Sequence, residues 1–249
     1  MNTLDLYHFW QQGDAVTHSV AVILLVMSLL SWTTIAIKSL QLLALGKSAA
    51  YSRQRFWQAS SLSEGMAGFR RSAFNPFLHL AVEGDALLKH PHKFSSTLGG
   101  HVDLSDWLVR GLGNALDNNN SRLQSGLGIL ASIGSTAPFI GLLGTVWGIF
   151  HALQTISAIG QPDISQVAGP VGEALIMTAF GLFVAIPAVL GYNAINRRNR
   201  VIQQAMNRFA HDLHAFLLTG ARVETGAVEW LDEETVAQNG ARGAVERTA

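Results

Sequence analysis

The 17 lysine and arginine residues of this chain are distributed around three long stretches that contain no Asp, Glu, Lys or Arg. The stretches are residues 15–37, 123–162 and 174–196. A helix of about 20 apolar residues crosses the hydrocarbon core of a bilayer, so each stretch is long enough to span a membrane. The pattern predicts an all-α integral membrane protein with three transmembrane helices.

The positions of the basic residues orient these three spans. No Lys or Arg precedes residue 15 or lies in 160–172, whereas ten lie between the first two spans and seven follow the third. Lys and Arg remain on the cytoplasmic side of a membrane. We therefore expect the N-terminus and the 160–172 connection outside, and the central loop and the tail inside. Because the bases lie beside the membrane exits, they do not predict nucleic-acid binding.

The sequence predicts seven segments along the chain. They are an N-terminal amphipathic segment on the outer surface at 1–14, spans at 15–37, 126–159 and 173–196, a cytoplasmic helical loop at 38–125, an outer connection at 160–172, and a cytoplasmic tail at 197–249 that is helical at first and disordered after about residue 225. Asp117 with Asn118, Asn119 and Asn120 predicts a helix break or cap just before the second span.

The charges of the first 14 residues and the absence of cysteine each exclude a class of feature. Asp5 and Asp14 are the only charges in the first 14 residues, which does not fit the positive start of a secretory signal peptide, so we expect the first span to be retained. The chain has no cysteine, which excludes disulfides and thiolate chemistry.

Small residues are concentrated in the second span. Ala137, Gly141 and Thr145 are spaced four apart on one helical face, and small residues at this spacing let helices approach closely in lipid. A second face carries three more small residues, Gly144, Gly148 and Ala152. We expect an interior helix, although ordinary helix packing explains the same pattern without any further function.

The third span has the same character and adds Gly181 and Pro187. Proline has no amide proton, so Pro138 in the second span and Pro187 are expected to kink their helices or to leave a carbonyl for another partner.

Glu173 is the acid at the start of the third span. An ionisable side chain at membrane depth is costly and marks an ion or proton route. The alternative is an interfacial Glu that interacts with the outer end of its helix. Because a helix turns about 100° per residue, we expect Thr178 to face a lumen and Glu173 to face the second span, with Thr145 at the depth of Thr178.

Other candidates have weaker support. His151 is a possible proton relay but is more simply a packed histidine. His211 and His214 lack the further ligands of a metal site. Gly46, Lys47 and Ser48 match only the end of a phosphate loop. We expect no catalytic residue, no metal site and no enzymatic activity.

The run 136–149 and the runs 172–182, 185–188 and 192–193 closely resemble the signature of the MotA/TolQ/ExbB proton-channel family. The N-terminal helix and the tail resemble the ExbB branch more than the TolQ branch, and the fourth span usual in MotA-type stators is missing. The resemblance implies a homopentamer in the bacterial inner membrane, with a periplasmic N-terminus and a cytoplasmic C-terminus.

The resemblance also implies partners and a pathway. The second and third spans would line a pore around two copies of a single-span partner, ExbD, whose membrane aspartate carries protons, and the motion would drive TonB in the import of iron-siderophores and vitamin B12. Thr145, Thr178 and Glu173 match the family's polar positions. No cofactor is implied beyond protons and bound phospholipid. A TolQ-type motor of the Tol-Pal system and a non-conducting membrane scaffold are the alternatives.

Overall fold

The computed structural model describes residues 14–69, 75–89, 103–159 and 164–220. In these residues the chain forms six α-helices and a short 3-10 helix at Phe56–Gln58. The α-helices are α1 (Ala15–Gln54), α2 (Leu62–Ala67), α3 (Pro76–Lys89), α4 (Leu104–Gln124), α5 (Leu127–Ile159) and α6 (Ile164–Thr219). The all-helical prediction is confirmed for these residues.

Three helical stretches of the described residues are long and apolar enough to cross a membrane, as the sequence predicted: Ala15–Gln58, which includes α1, Leu104–Gln154, which includes α4 and most of α5, and Val171–Thr219, which lies within α6. The longest helix, α6, has 56 residues and at 1.5 Å per residue extends for about 84 Å. A bilayer core is only about 30 Å thick, so a large part of α6 lies outside it. Both α1 and α6 continue far beyond their apolar segments and provide part of the non-membrane domain.

The helices enclose two separate hydrophobic cores. The first lies among the apolar segments of α1, α5 and α6, and its buried residues include Val20, Leu24, Leu130, Ile133, Ala137, Met177, Val184 and Ala188. The second lies where α1 and α6 continue past their apolar segments and are joined by the short helices and α4, and it includes Leu45, Phe56, Phe69, Phe77, Leu80, Leu112, Met206, Phe209 and Leu213. One long bundle therefore contains a first core among the apolar segments and a second core beyond them.

The boundary between α4 and α5 lies at Ser125 and Gly126, not at Asp117–Asn120 as predicted. The helix α4 continues to Gln124, and Gly126 has a φ of 81°, a left-handed conformation that glycine adopts without steric cost. Asn119 is buried and donates to the carbonyl of Ala115, so this asparagine stays within the helix.

Lys38 and Asn199 hold this boundary from two sides. Lys38 Nζ donates to the carbonyls of Arg122 and Leu123 and to Ser125 Oγ, each at 3.3 Å. Asn199 Nδ2 donates to the carbonyl of Leu123 at 3.0 Å. These donors satisfy carbonyls that the end of α4 leaves without intrahelical partners.

The helix α6 begins at Ile164, inside the predicted outer connection at 160–172, and the position of this connection outside the membrane stays a prediction. The N-terminal segment before residue 14, the residues 160–163 and the tail after residue 220 lie outside the described residues, so the predictions of an amphipathic segment and of disorder after about 225 stay predictions. The membrane boundaries of the seven predicted segments stay predictions as well.

Candidate functional site between the second and third apolar helices

The helices α5 and α6 cross most closely at Gly141 and Gly181. A β-carbon placed on Gly141 would lie 2.7 Å from the carbonyl oxygen of Met177 and 3.0 Å from the α-carbon of Gly181. A β-carbon on Gly181 would lie 2.7 Å from the carbonyl oxygen of Ala137. Because both clashes involve backbone atoms, only glycine permits this crossing, and it brings the side chains of the next turns into direct contact.

The next turns of α5 place two more small residues against α6. Gly144 faces Met177, which is fully buried, and a β-carbon on Gly148 would lie 2.8 Å from that of Ala174. The helix α5 continues without interruption through Pro138, and Pro187 likewise lies within α6.

A pair of threonine hydroxyls lies at this contact. Thr145 Oγ1 is 2.5 Å from Thr178 Oγ1 and 3.2 Å from the carbonyl oxygens of Gly141 and Ala174. A hydroxyl has one proton to donate and two lone pairs. The Thr145 proton therefore has three acceptor oxygens within reach, two of them on α6, and the direction of the bond between the two hydroxyls can reverse.

Thr145 is 6% exposed, whereas Thr178 is half-buried. The structure thus brings together two of the three polar residues predicted from the sequence, and it places Thr145 inside the helix contact. The prediction that they share a depth agrees with this geometry. Two hydroxyls can be linked by a hydrogen bond, but neither carries a charge near neutral pH. A proton route through them therefore needs a titratable group nearby.

Glu173 is the acid nearest to the pair in the sequence. It lies directly before Ala174, whose carbonyl accepts from Thr145, and its side chain is half-buried. Five residues of helix place it about 7.5 Å further out than Thr178 along α6. No hydrogen bond or ion pair joins the side chain of Glu173 to another of the residues that the structure describes. It remains a candidate for the outer end of a proton route.

Large apolar side chains along α5 and α6 are exposed in the single chain. On α5 they are Phe139, Leu142, Leu143, Val146 and Phe150, and on α6 they are Leu175, Leu182, Phe183, Ile186 and Leu190. Such a surface belongs against lipid or another apolar protein surface, because it is too large for contact with water.

The weaker candidates do not form a second site. Gly46, Lys47 and Ser48 lie inside α1, and Ser48 is buried and accepts from Asn75 Nδ2 at 3.3 Å, which does not fit a phosphate loop. His214 Nε2 is 3.5 Å from Ser105 Oγ. His151 is exposed on α5. Among the residues that the structure describes, no group of three His, Cys, Asp or Glu side chains could hold a metal ion.

A polar contact between the start of α1 and the middle of α5 was not predicted from the sequence. Asp14 Oδ2 accepts from Trp147 Nε1 at 2.6 Å, and Oδ1 of the same carboxylate accepts from the backbone N–H of Thr17. An Asp directly before an apolar run is a signal for a helix N-cap. That signal predicts the bond to Thr17, whereas nothing in the sequence predicts the bond to Trp147.

Comparison with known proteins relates this fold and site to one class of protein. Residues 92–208 match a sequence model described as the MotA/TolQ/ExbB proton channel family. The biopolymer transport protein ExbB of Xanthomonas campestris pv. campestris is 41% identical over 216 residues, which cover 85% of each chain. The ExbB protein of Neisseria meningitidis is 39% identical over 86% of this chain and 98% of its own.

The Tol-Pal system protein TolQ of Haemophilus influenzae is also similar, with 33% identity over 87% of this chain and 94% of its own. The three apolar helices and the glycine-lined contact with its hydroxyl pair define a helical membrane protein of the proton-channel class. The chain belongs to the MotA/TolQ/ExbB proton channel family. This is a family of channel proteins and not a known enzyme family.

Proposed function

We propose that this chain is the ExbB-type subunit of an inner-membrane motor driven by the proton-motive force. With an ExbD-like partner it would energise a TonB-like protein for outer-membrane import of iron-siderophores and vitamin B12. The observation that carries the proposal is the hydroxyl pair of Thr145 and Thr178, which is held at a backbone-to-backbone crossing of the two most tightly packed apolar helices. The similarity to two named ExbB proteins supports it.

The proposed assembly is a homopentamer around a central pore that contains two copies of the partner's single span. The exposed apolar faces of α5 and α6 support this arrangement, since packing between copies would cover them. The proposed orientation, with the N-terminus in the periplasm and the C-terminus in the cytoplasm, is supported by the one-sided distribution of Lys and Arg.

The partner has a chemical role in this proposal. In α5 and the apolar part of α6 the only carboxylic acid is Glu173, and threonine hydroxyls do not carry a proton as a charge. A partner acid beside Thr145 and Thr178 would provide the missing proton carrier. Each proton that crosses 100 mV releases about 2.3 kcal/mol, so several protons would supply one mechanical step.

A TolQ-type role in the Tol-Pal system is the second candidate, and the 33% identity to a TolQ protein favours it. Complementation separates the two roles. The chain, produced with its own partner, is expressed in one host that lacks ExbB and in another that lacks TolQ. We expect restored siderophore uptake in the first host. Restored outer-membrane integrity in the second host alone would favour the TolQ role.

Point variants in the first host test the site. We expect Thr145→Val, Thr178→Val and Glu173→Ala to lower proton-dependent uptake towards background, and Thr145→Ser to retain it because serine keeps the hydroxyl. Thr34→Val is the matched control, since Thr34 donates to the Leu30 carbonyl within α1 and is remote from α6 in the sequence. Wild-type uptake in the three site variants would remove the site assignment and favour a non-conducting scaffold.

The mass of the purified complex, with and without the partner, tests the assembly. Five copies of the 26.8 kDa chain are expected in both preparations. A different copy number would exclude the pentamer without affecting the uptake result.

A further inference from the structure

Asp14 makes two separate attachments with the two oxygens of one carboxylate. Oδ1 accepts from the backbone N–H and the hydroxyl of Thr17, each at 3.0 Å, and so caps the first turn of α1. Oδ2 accepts from the indole N–H of Trp147 at 2.6 Å, which joins α1 to α5 across 133 residues of sequence. We call this second attachment the outer clasp.

The outer clasp acts on the turn of α5 that also carries the hydroxyl pair. Trp147 lies on the side of α5 that meets α1, where it bonds to Asp14, and Gly144, three residues before it, lies between Val20 of α1 and Met177 of α6. Thr145 and Gly148 are also three apart and share the face that meets α6. A helix turns about 100° per residue. Any rotation of α5 that moves Trp147 away from Asp14 therefore also turns Thr145 relative to Ala174.

The clasp is well suited to prevent that rotation. Most of the contact between α1 and the other apolar helices is apolar packing around Val20 and Leu24, which does not fix an angle. A hydrogen bond to a carboxylate is directional and stronger than one between neutral groups. Trp147 is only half-buried, so its ring alone does not fix the position of α5.

We propose that Asp14 is a positioning residue for the proton route: through the Trp147 indole it fixes the rotation of α5 and thereby keeps the Thr145 hydroxyl directed at Ala174 and Thr178. The inference rests on the proposed function, because it assigns Asp14 a part in proton conduction. It adds a residue outside the second and third spans to the residues on which conduction depends.

Two substitutions remove the clasp and keep the helix cap. Asp14→Asn retains one acceptor oxygen for Thr17, and Asn is as good an N-cap as Asp, but its amide nitrogen is a donor and cannot accept from Trp147. Trp147→Phe keeps an aromatic ring and removes the indole N–H. Only the first variant removes a negative charge, so an effect common to both does not arise from the charge.

The experiment measures proton flux into vesicles that contain the chain and its single-span partner, with a pH-sensitive dye inside. Flux is expressed per assembled complex, because a purely structural loss would lower the number of complexes and not the flux of each. We expect Asp14→Asn and Trp147→Phe each to lower the flux roughly tenfold, the scale of one charge-assisted hydrogen bond. The double variant is expected to match the single variants, since all three lack the same bond.

The matched control is Trp32→Phe, which removes the indole N–H of a different tryptophan, on α1. Trp32 is 56% exposed, and its replacement is expected to leave the flux unchanged. Unchanged flux per complex in both clasp variants would overturn the inference. So would losses that multiply in the double variant, because they would show that Asp14 and Trp147 act independently.

A second measurement separates failure of this inference from failure of the proposed function. Nitrogen-15 labelling gives one indole N–H signal for each of the six tryptophans. Asp14→Asn is expected to shift the one signal that Trp147→Phe removes. If the wild-type complex carried no protons, the proposed function would fail while this signal still reported the clasp. If the signal did not shift, the clasp would be absent whatever the flux.

Discussion

The carboxylate of Asp14 carries more polar contacts than any other acid among the described residues of the three apolar helices, and these contacts determine how it titrates. The hydrogen bonds from the backbone N–H of Thr17 and from the indole of Trp147 lower the pKa of Asp14 from its ordinary value of 3.8. The two hydrogen bonds favour the charged form of the carboxylate. Mild acidification within a few tenths of a pH unit of neutrality therefore does not protonate Asp14 and does not open the outer clasp.

This shift predicts the pH dependence of stability. Since the folded-state pKa lies below that of the unfolded chain, the carboxylate contributes stability above about pH 4 and loses it as the pH falls through the lower folded value. The difference in unfolding free energy between the wild type and Asp14→Asn is expected to be constant from pH 7 to about pH 4 and to shrink below it. Denaturation in detergent across this range measures it. If this difference in unfolding free energy shrank between pH 7 and pH 5, the folded-state pKa of Asp14 would be raised and not lowered.

The crossing of α5 and α6 depends on glycine backbones, which predicts a specific packing defect. In Gly141→Ala the new methyl group would meet the Met177 carbonyl, so the helices must separate. We expect a loss of about 1–3 kcal/mol in stability, typical of an overpacked contact, together with a weaker bond between Thr145 and Thr178.

The matched control lies in the same helix. Nothing lies within 4 Å of a β-carbon on Gly128, so Gly128→Ala is expected to leave stability unchanged or slightly raised. Unfolding of both variants in mixed micelles, followed by circular dichroism, makes the comparison. Equal stability of Gly141→Ala and Gly128→Ala would show that the close crossing does not exist in the membrane.

The boundary between α4 and α5 depends on Lys38, whose pKa is lowered by partial burial. Its ammonium group binds carbonyls at the C-terminal end of α4, where a positive charge also interacts favourably with the helix dipole. In Lys38→Met each of these carbonyls loses one donor, while Asn199 still donates to Leu123 and Ser125 to Arg122. We expect amide hydrogen exchange in residues 121–129 to rise roughly tenfold, which corresponds to about 1.4 kcal/mol of local opening.

Lys47→Met is the control, because Lys47 lies on the same helix and is exposed. Its exchange over residues 121–129 is expected to match the wild type. An equal rise in both lysine variants would indicate a general loss of charge at the membrane surface, and no rise in Lys38→Met would show that Asn199 alone holds the boundary.

The sequence located the apolar helices well because their signal is repeated over more than 20 residues. It located the boundary before α5 poorly, because a run of asparagines is typical of a helix break. Nothing local in the sequence shows that Asn119 is buried and bonds to Ala115 and His79 within the bundle. The spacing of small residues predicted an interior α5 and placed Thr145 near Thr178. Contacts between distant segments, such as those of Asp14 with Trp147 and Lys38 with α4, leave no local pattern and needed the structure.

The molecule as a whole joins two cores through two continuous helices and one interrupted connection. The helices α1 and α6 pass from the first core, among the apolar segments, into the second core, whereas the chain between α4 and α5 turns at Gly126. The helix α6 thus links the hydroxyl pair to the second core, because it contributes Thr178 at one end and Met206 and Leu213 at the other. Lys38 and Asn199 bond to the end of α4 at the interrupted connection.

The charge distribution predicts the orientation of the whole chain, and the absence of cysteine makes it directly testable. Gly169→Cys places a thiol near the outer end of α6, where a β-carbon meets nothing within 4 Å, and Ser121→Cys places one on the exposed surface of α4. In spheroplasts, a membrane-impermeant maleimide is expected to label Gly169→Cys at once and Ser121→Cys only after permeabilisation. An inverted chain would place every Lys and Arg on the opposite side of the membrane, so the reverse labelling pattern would contradict the predicted orientation. Equal labelling of both thiols in intact spheroplasts would contradict the predicted number of spans.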